Sequence, residues 1–92
     1  MVVNPYTDNQ LNPDERIRVF EVDTNDEELV WHRDKRNRKV EVLEGKGWMF
    51  QYENGLPFPM EVGDTLDITK KEYHRIIKGD TSLKIKITEY GR

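Results

Sequence analysis

The 92-residue chain contains no cysteine, so it has neither disulfides nor thiolate metal ligands. It also lacks a long hydrophobic run, because no apolar stretch approaches the ~20 residues that cross a bilayer. The first ten residues, MVVNPYTDNQ, have neither the basic nor the apolar segment of a signal peptide. We therefore expect a cytoplasmic protein with no membrane partner, and the absence of cysteine fits a reducing compartment.

An excess of basic charge is missing as well. The chain carries 15 basic and 18 acidic residues, for a net charge of −3. Non-specific nucleic-acid binding depends on neutralising phosphates with a basic surface, so nucleic acid is an unlikely partner. A basic tip around residues 33–39, together with Lys84 and Lys86, is the only feature that favours it.

Hydrophobic residues are also few, at 35% of the chain, a content that brings disorder into consideration. The apolar residues alternate with polar ones over most of the chain, however, and this pattern indicates a folded domain. A chain of this length forms one domain. We expect residues 17–92 to form it, preceded by a polar N-terminal arm over residues 1–16 that contains two prolines and is either mobile or lies along an edge strand.

Short β-rich segments follow one another closely and are separated by turn residues. The predicted strands cover residues 17–22, 29–32, 38–43, 48–52, 65–69, 73–78 and 83–90. Asn54–Gly55 predicts a tight hairpin, and the two prolines of LPFPM (56–60) restrict that segment to a sheet edge or a loop. Since no segment of ten residues has a helical period, the pattern predicts seven or eight strands in a β-sandwich or small barrel.

The only two histidines of the chain, His32 and His74, both lie in predicted strands. His32 and Asp34 are two residues apart, so their side chains project to the same side of an extended chain. If residues 35–37 form a hairpin tip, Arg38 lies close to Asp34. Each histidine alone would be interpreted as a hydrogen-bonded strand residue, whereas the two together with Asp34 favour a shared pocket.

The spacing of these residues resembles that of the cupin family. The first cupin motif is matched by His32, one residue, Asp34, three residues, Arg38, six residues and Gly45; the second is matched by Gly63, five residues, Thr69, then Lys71, His74 and Lys78. The resemblance covers about residues 28–88. Several side chains depart from the motifs: Asp34 stands for a histidine, Arg38 for a glutamate, and Thr69, Lys71 and Lys78 for proline, glycine and asparagine. The resemblance implies an all-β jelly-roll, or double-stranded β-helix barrel, of seven or eight short antiparallel strands.

Cupins use these positions to hold a divalent metal, so the resemblance implies a site made by His32, Asp34 and His74 for Fe, Mn, Ni or Zn. Two imidazoles and one carboxylate form the set that suits non-haem Fe(II). Arg38 cannot coordinate a metal, because a guanidinium is always charged. Two outcomes remain open: Arg38 binds an anionic substrate beside a metal, or it pairs with Asp34 and leaves a metal-free pocket.

The other pocket residues depend on which face of each strand points inward. Trp48, Phe50 and Tyr52 are interpreted as core, and Gln51 becomes a substrate-binding residue if the opposite face is the inner one. With His32 inward, Leu29 and Trp31 form an outer apolar patch that needs a partner surface. The resemblance to small cupins implies that this partner is a second copy of the chain, so we expect a homodimer. Two functions remain open: a metal-dependent cupin enzyme for a small polar or anionic molecule, or a metal-free cupin that binds a small molecule or serves as an accessory protein.

Overall fold

The computed structural model describes residues 6–22, 29 and 31–91. This part of the chain contains eight strands and no helix. The strands are β1 (Tyr6–Asn12), β2 (Glu15–Phe20), β3 (Asn37–Glu44), β4 (Met49–Tyr52), β5 (Phe58–Pro59), β6 (Thr65–Ile68), β7 (His74–Ile77) and β8 (Leu83–Tyr90). The described ranges therefore contain no helix long and apolar enough to cross a membrane.

The strands form two antiparallel sheets. The larger has the order β1-β2-β8-β3-β6 and the smaller has the order β5-β4-β7. The all-β fold predicted from the sequence, with seven or eight short antiparallel strands, is therefore confirmed. Strand β8 lies at the centre of the larger sheet, where it pairs with β2 on one side and with β3 on the other.

Alternation of apolar and polar residues determines which face of each strand is buried. In β8, Leu83, Ile85 and Ile87 are buried, whereas Lys84 and Lys86 between them are more exposed. In β3, Val40 and Val42 are buried in the same way. Side chains two residues apart in a strand share a face, so the two central strands of the larger sheet present one apolar surface to the smaller sheet.

The smaller sheet contributes the large aromatic residues of the core. Trp48 is fully buried and Phe50 almost so, as the interpretation of these side chains as core residues requires. Tyr52 packs against the same cluster. The indole Nε1 of Trp48 donates a hydrogen bond to the carbonyl oxygen of Thr81, 2.6 Å away, so its one polar group is satisfied inside the core.

Most of the segment that we predicted as an N-terminal arm is paired. Residues 1–5 lie outside the described residues. Strand β1 forms a hairpin with β2 and is the edge strand of the larger sheet, and Glu15 and Arg16 already belong to β2. The polar composition of β1 follows from its edge position, because all of its residues except Tyr6 are exposed.

Two local predictions are wrong in their details. Residues 35–37 are not a hairpin tip, because His32 pairs with His74 of β7 in the smaller sheet and β3 belongs to the larger one. Within the described part of 29–32, this isolated bridge replaces the predicted strand. Asn54–Gly55 is not a two-residue hairpin either: residues 53–57 connect β4 to β5, and neither Asn54 nor Gly55 has the positive φ that such a turn needs.

Candidate metal centre

His74 is the most deeply buried of the predicted site residues, with 3% of its surface exposed. It begins β7, and its ring stacks on Phe50 of the neighbouring strand with centroids 5.6 Å apart. Its Nδ1 lies 3.1 Å from the carbonyl oxygen of Glu72. A carbonyl can only accept, so Nδ1 carries the proton of this hydrogen bond, and Nε2 of the neutral ring presents a lone pair to the interior.

His32 reaches the same place from the crossing segment, residues 32–36, which leads from the smaller sheet to β3 of the larger one. Two backbone hydrogen bonds join it to His74, one from each amide to the other carbonyl, at 3.0 and 2.8 Å. The two imidazole rings lie 4.4 Å apart. The His32 side chain is half exposed, so it stands at the mouth of the site while His74 lies inside.

Asp34 completes the cluster. Its side chain is only 7% exposed, and its Oδ2 lies 3.3 Å from Nε2 of His74, while its Oδ1 lies 3.8 Å from Nε2 of His32. Oδ2 is buried without a hydrogen bond of good geometry. One potential ligand atom from each of these three residues lies within 4.8 Å of the others. The three residues selected from the sequence therefore come together in space.

Arg38 lies beside this cluster and is bound on both sides. Its Nη1 is 3.1 Å from Oδ1 of Asp34, and its Nε donates to Oε2 of Glu89 over 3.2 Å. The pair with Asp34 thus occupies one carboxylate oxygen and leaves the other one facing His74. Sequence reasoning missed Glu89, although Leu83, Ile85 and Ile87 precede it on the buried face of β8. The signal in the sequence was a carboxylate at a position where the alternation predicts another apolar residue.

The two carboxylates are held in their charged forms. Burial favours the neutral form of Asp34, but the contact with His74 and the charges of Arg38, His74 and His32 outweigh it and lower the pKa of this carboxyl below its ordinary value of 3.8. For Glu89, burial is likewise outweighed by the hydrogen bonds and charges of Arg16 and Arg38, and its pKa lies below 4.5.

The cluster opens into a cavity of about 310 Å³ between the sheets. Its walls are mainly apolar, formed by core residues such as Phe50, Met60 and Ile85. Besides His32, Asp34, Arg38 and His74, the charged side chain on the wall is that of Arg18, which is fixed by two hydrogen bonds to Asp8, of 2.7 and 2.9 Å. An apolar cavity with a few convergent polar groups is typical of a small-molecule site.

Two sequence-based placements need correction. Gln51 lies on the face of β4 opposite Phe50 and is not among the residues that line the cavity; its Oε1 accepts a hydrogen bond from Arg75 and its Nε2 donates to Gly55. Leu29 lines the cavity instead of facing outward, because it packs against the core, so the outer patch retains only Trp31, whose ring lies against Arg75.

Comparison with solved structures decides the fold. A cupin-2 domain containing protein from Shewanella frigidimarina superposes with a TM-score of 0.64 at 18% identity, over 95% of this chain and 79% of that one. A cupin-like protein from Thermotoga maritima gives 0.64 at 17% identity, over 90% and 65%. The fold is that of a cupin.

The cupin barrel also resembles an iron protein. Fe(II) HppE superposes with a TM-score of 0.66 at 16% identity, over 83% of this chain and 41% of that one. No protein-family model and no curated protein matches the chain. These likenesses are of fold alone, so the chemistry of this chain has to be argued from its own residues.

Those residues fit a divalent cation. Nε2 of His74 and Oδ2 of Asp34 face each other across 3.3 Å in a buried space, and in the neutral ring this nitrogen carries a lone pair. Two acceptors in this position repel each other unless a proton or a metal ion lies between them. A histidine whose other nitrogen is fixed by a backbone carbonyl is the usual arrangement of a metal ligand. The donor set, two nitrogens and one oxygen, suits a transition metal.

Proposed function

We propose that this cupin binds one divalent metal ion through His32, Asp34 and His74 and presents it to a small anionic molecule in the cavity. The observation that carries the proposal is the buried approach of Asp34 Oδ2 to His74 Nε2, with the Nδ1 proton already committed to Glu72. The similarity of the fold to Fe(II) HppE supports the metal, since that protein holds Fe(II) on a related barrel. The bound metal would supply Lewis acidity, with open positions for a ligand.

Each residue around the proposed metal site has a separate task in this function. The Glu72 carbonyl keeps His74 in the tautomer whose Nε2 can bind metal, and the Phe50 ring holds the imidazole plane. Arg38 satisfies Oδ1 of Asp34 and leaves Oδ2 for the metal. The half-exposed ring of His32 lies where a ligand would enter.

The ligand class follows from the charges on the cavity wall. Among the described residues, the cavity is lined by two permanent cations, Arg18 and Arg38, and by the single carboxylate of Asp34. A divalent metal would add to this positive charge, so the complementary ligand is a small anion with an apolar body. Acetate should therefore perturb the visible spectrum of the Co(II)-loaded protein, and Arg18→Gln should weaken that titration by about tenfold, the value of one charge-assisted hydrogen bond. An Arg18→Gln titration equal to the wild-type one would contradict this assignment.

Metal analysis of untagged protein tests the proposal directly. We expect about one metal ion per chain after supply of Fe(II), Mn, Ni or Zn, and loss of that ion in His74→Ala, because three ligands would fall to two. Asp67→Asn is the control: it removes an exposed carboxylate of β6 outside the cluster and should leave the metal content unchanged. A wild-type protein that stays metal-free under all four conditions contradicts the proposal.

One observation favours a second candidate, a metal-free binding protein. The 3.1 Å pair between Arg38 and Asp34 already neutralises the carboxylate. In that case the cavity would bind its anion through the arginines alone, and the protein would act as a small-molecule-binding or accessory protein. Acetate binding of equal strength in metal-free wild type and in His74→Ala would support this candidate, whereas a metal requirement would exclude it.

A further inference from the structure

Glu89 stands between two arginines on the inner face of the larger sheet. It lies directly opposite Arg38 in the pairing of β8 with β3. On its other side, Arg16 of β2 reaches both carboxylate oxygens, with Nη2 3.3 Å from Oε2 and Nη1 3.4 Å from Oε1. The side chains of Arg16, Arg38 and Glu89 are each at most 15% exposed, so this row of charges is largely removed from water.

The guanidinium of Arg38 is divided between two carboxylates. Its Nε is bound to Glu89 and its Nη1 to Asp34. An arginine that binds one carboxylate with two parallel hydrogen bonds uses two nitrogens of the same fork. The hydrogen bond from Nε to Glu89 fixes the orientation of the guanidinium plane, and in this orientation Nη1 contacts only Oδ1 of Asp34, while Oδ2 stays directed at His74.

We propose that Glu89 is a positioning residue that makes metal binding compatible with an arginine beside the ligands. By holding Arg38, Glu89 keeps Oδ2 of Asp34 available; without Glu89, both arms of the Arg38 fork would close on Asp34 and compete with the metal. Arg16 holds Glu89 in turn, which keeps this carboxylate out of the group formed by His32, Asp34 and His74. The inference rests on the proposed metal function and concerns the affinity of that same site.

The charges agree with this division of roles. Arg16, Arg38, Glu89 and Asp34 carry two positive and two negative charges, so the row is neutral before a metal binds. Removing Glu89 takes one negative charge away from the site and leaves Arg38 with Asp34 alone, whereas Arg16 keeps Asp8, 3.7 Å from its Nε. Both the geometry and the local field would then disfavour a cation.

Metal affinity of Glu89 variants, measured by calorimetric titration with Mn(II) or Zn(II), tests the inference. We expect Glu89→Ala to weaken the Kd by about tenfold or more, and Glu89→Gln, which keeps the shape and an acceptor oxygen, to weaken it less. Glu15→Gln is the matched control, since it also removes a carboxylate held by a cation, Lys86, outside the metal-ligand group. Its Kd should equal that of wild type.

A double-mutant cycle distinguishes positioning from a merely structural role. If Glu89 acts mainly through Arg38, then Glu89→Ala should weaken the Kd much less in an Arg38→Ala background, where only the loss of its negative charge remains. Should Glu89→Ala fail to fold, Glu89→Gln completes the same cycle.

Three outcomes would overturn the inference. Unchanged affinity in both Glu89 variants of a metal-binding wild type rejects the inference and leaves the proposed function standing. An equal loss of affinity with and without Arg38 rejects the route through Arg38. A wild type that binds no metal removes the proposed function and this inference together.

Discussion

Asp34 combines ion-pair contacts that stabilise the fold with the position of a proposed metal ligand. Its carboxylate meets an imidazole on one oxygen and a guanidinium on the other, while only a small part of it faces water. The neighbouring imidazole and guanidinium favour the charged form of the Asp34 carboxyl strongly enough to overcome the cost of burying it, as its lowered pKa indicates.

The lowered pKa of Asp34 predicts a pH dependence of stability. A carboxyl whose pKa is lower in the folded state adds stability above its unfolded pKa, about 4, and this contribution is lost as the pH falls through the folded pKa. In the absence of metal, Asp34→Asn should therefore be less stable than wild type at neutral pH, and the difference should shrink as the pH falls below about 4. Urea unfolding across this range measures it, with Asp67→Asn as control. A difference that does not change with pH would contradict the assignment.

Leu83 provides the corresponding test for the apolar core. It is fully buried where β8 begins, so Leu83→Ala should lower the free energy of unfolding by about 2–5 kcal/mol through lost burial and the cavity left behind. Leu56 is the matched control, because it is 86% exposed and its change to alanine should alter stability by no more than about 0.5 kcal/mol. Similar losses in the two variants, measured by chemical denaturation, would argue against the assigned core.

At the scale of elements, the connection from β7 to β8 depends on one glycine. A Cβ added to Gly79 would lie 2.5 Å from the backbone carbonyl oxygen of Lys46 and equally close to the backbone of Gly47, so the chain would have to move. The same close approach lets the Asp80 amide donate to the Lys46 carbonyl, at 2.8 Å. This contact joins the β3–β4 and β7–β8 connections.

Gly79→Ala should therefore destabilise the protein, and Gly55→Ala should not. At Gly55 the nearest atom to an added Cβ is 3.8 Å away and φ is not positive, so alanine fits there and reduces the freedom of the unfolded chain. Thermal unfolding of the two variants separates the cases. A Gly79→Ala melting temperature equal to that of wild type would contradict the close packing of the two connections.

Strands with strict alternation could be predicted from the sequence, and segments without it could not. The bounds of β8 agree with the predicted 83–90 because Leu83, Ile85 and Ile87 alternate with polar residues. The path of residues 31–38 was missed because polar residues dominate this segment, and nothing local indicates that His32 pairs with β7 while Arg38 lies in β3. The site residues could still be selected, since motif spacing carried information that periodicity did not.

Glu89 marks the limit of that approach. Its role depends on the register of three strands, β2, β8 and β3, that are far apart in the chain. A single sequence does not give this register. The homodimer stays a prediction. The apolar patch on which it depends is smaller than the sequence suggested, because Leu29 packs against the core and Trp31 is the one member of that patch that remains exposed.

At the scale of the whole molecule, metal binding and folding should be coupled. The three proposed ligands come from β7 and from the segment that crosses to the larger sheet, so the site forms only in the folded chain. A metal at 100 times its Kd should stabilise the wild type by about 2.7 kcal/mol and should leave His74→Ala unchanged. Denaturation with and without Zn(II) measures this, and equal stabilisation of both proteins would indicate binding elsewhere.

The paired amides of His32 and His74 have a consequence for observing the site. Each amide is locked on the other residue's carbonyl, and the bridge stands alone beside β7. Local opening of the crossing segment would break both hydrogen bonds at once and carry the His32 ring away from Asp34. Deuterium uptake at these two amides would therefore report, within one backbone bridge, how often the barrel opens its entrance.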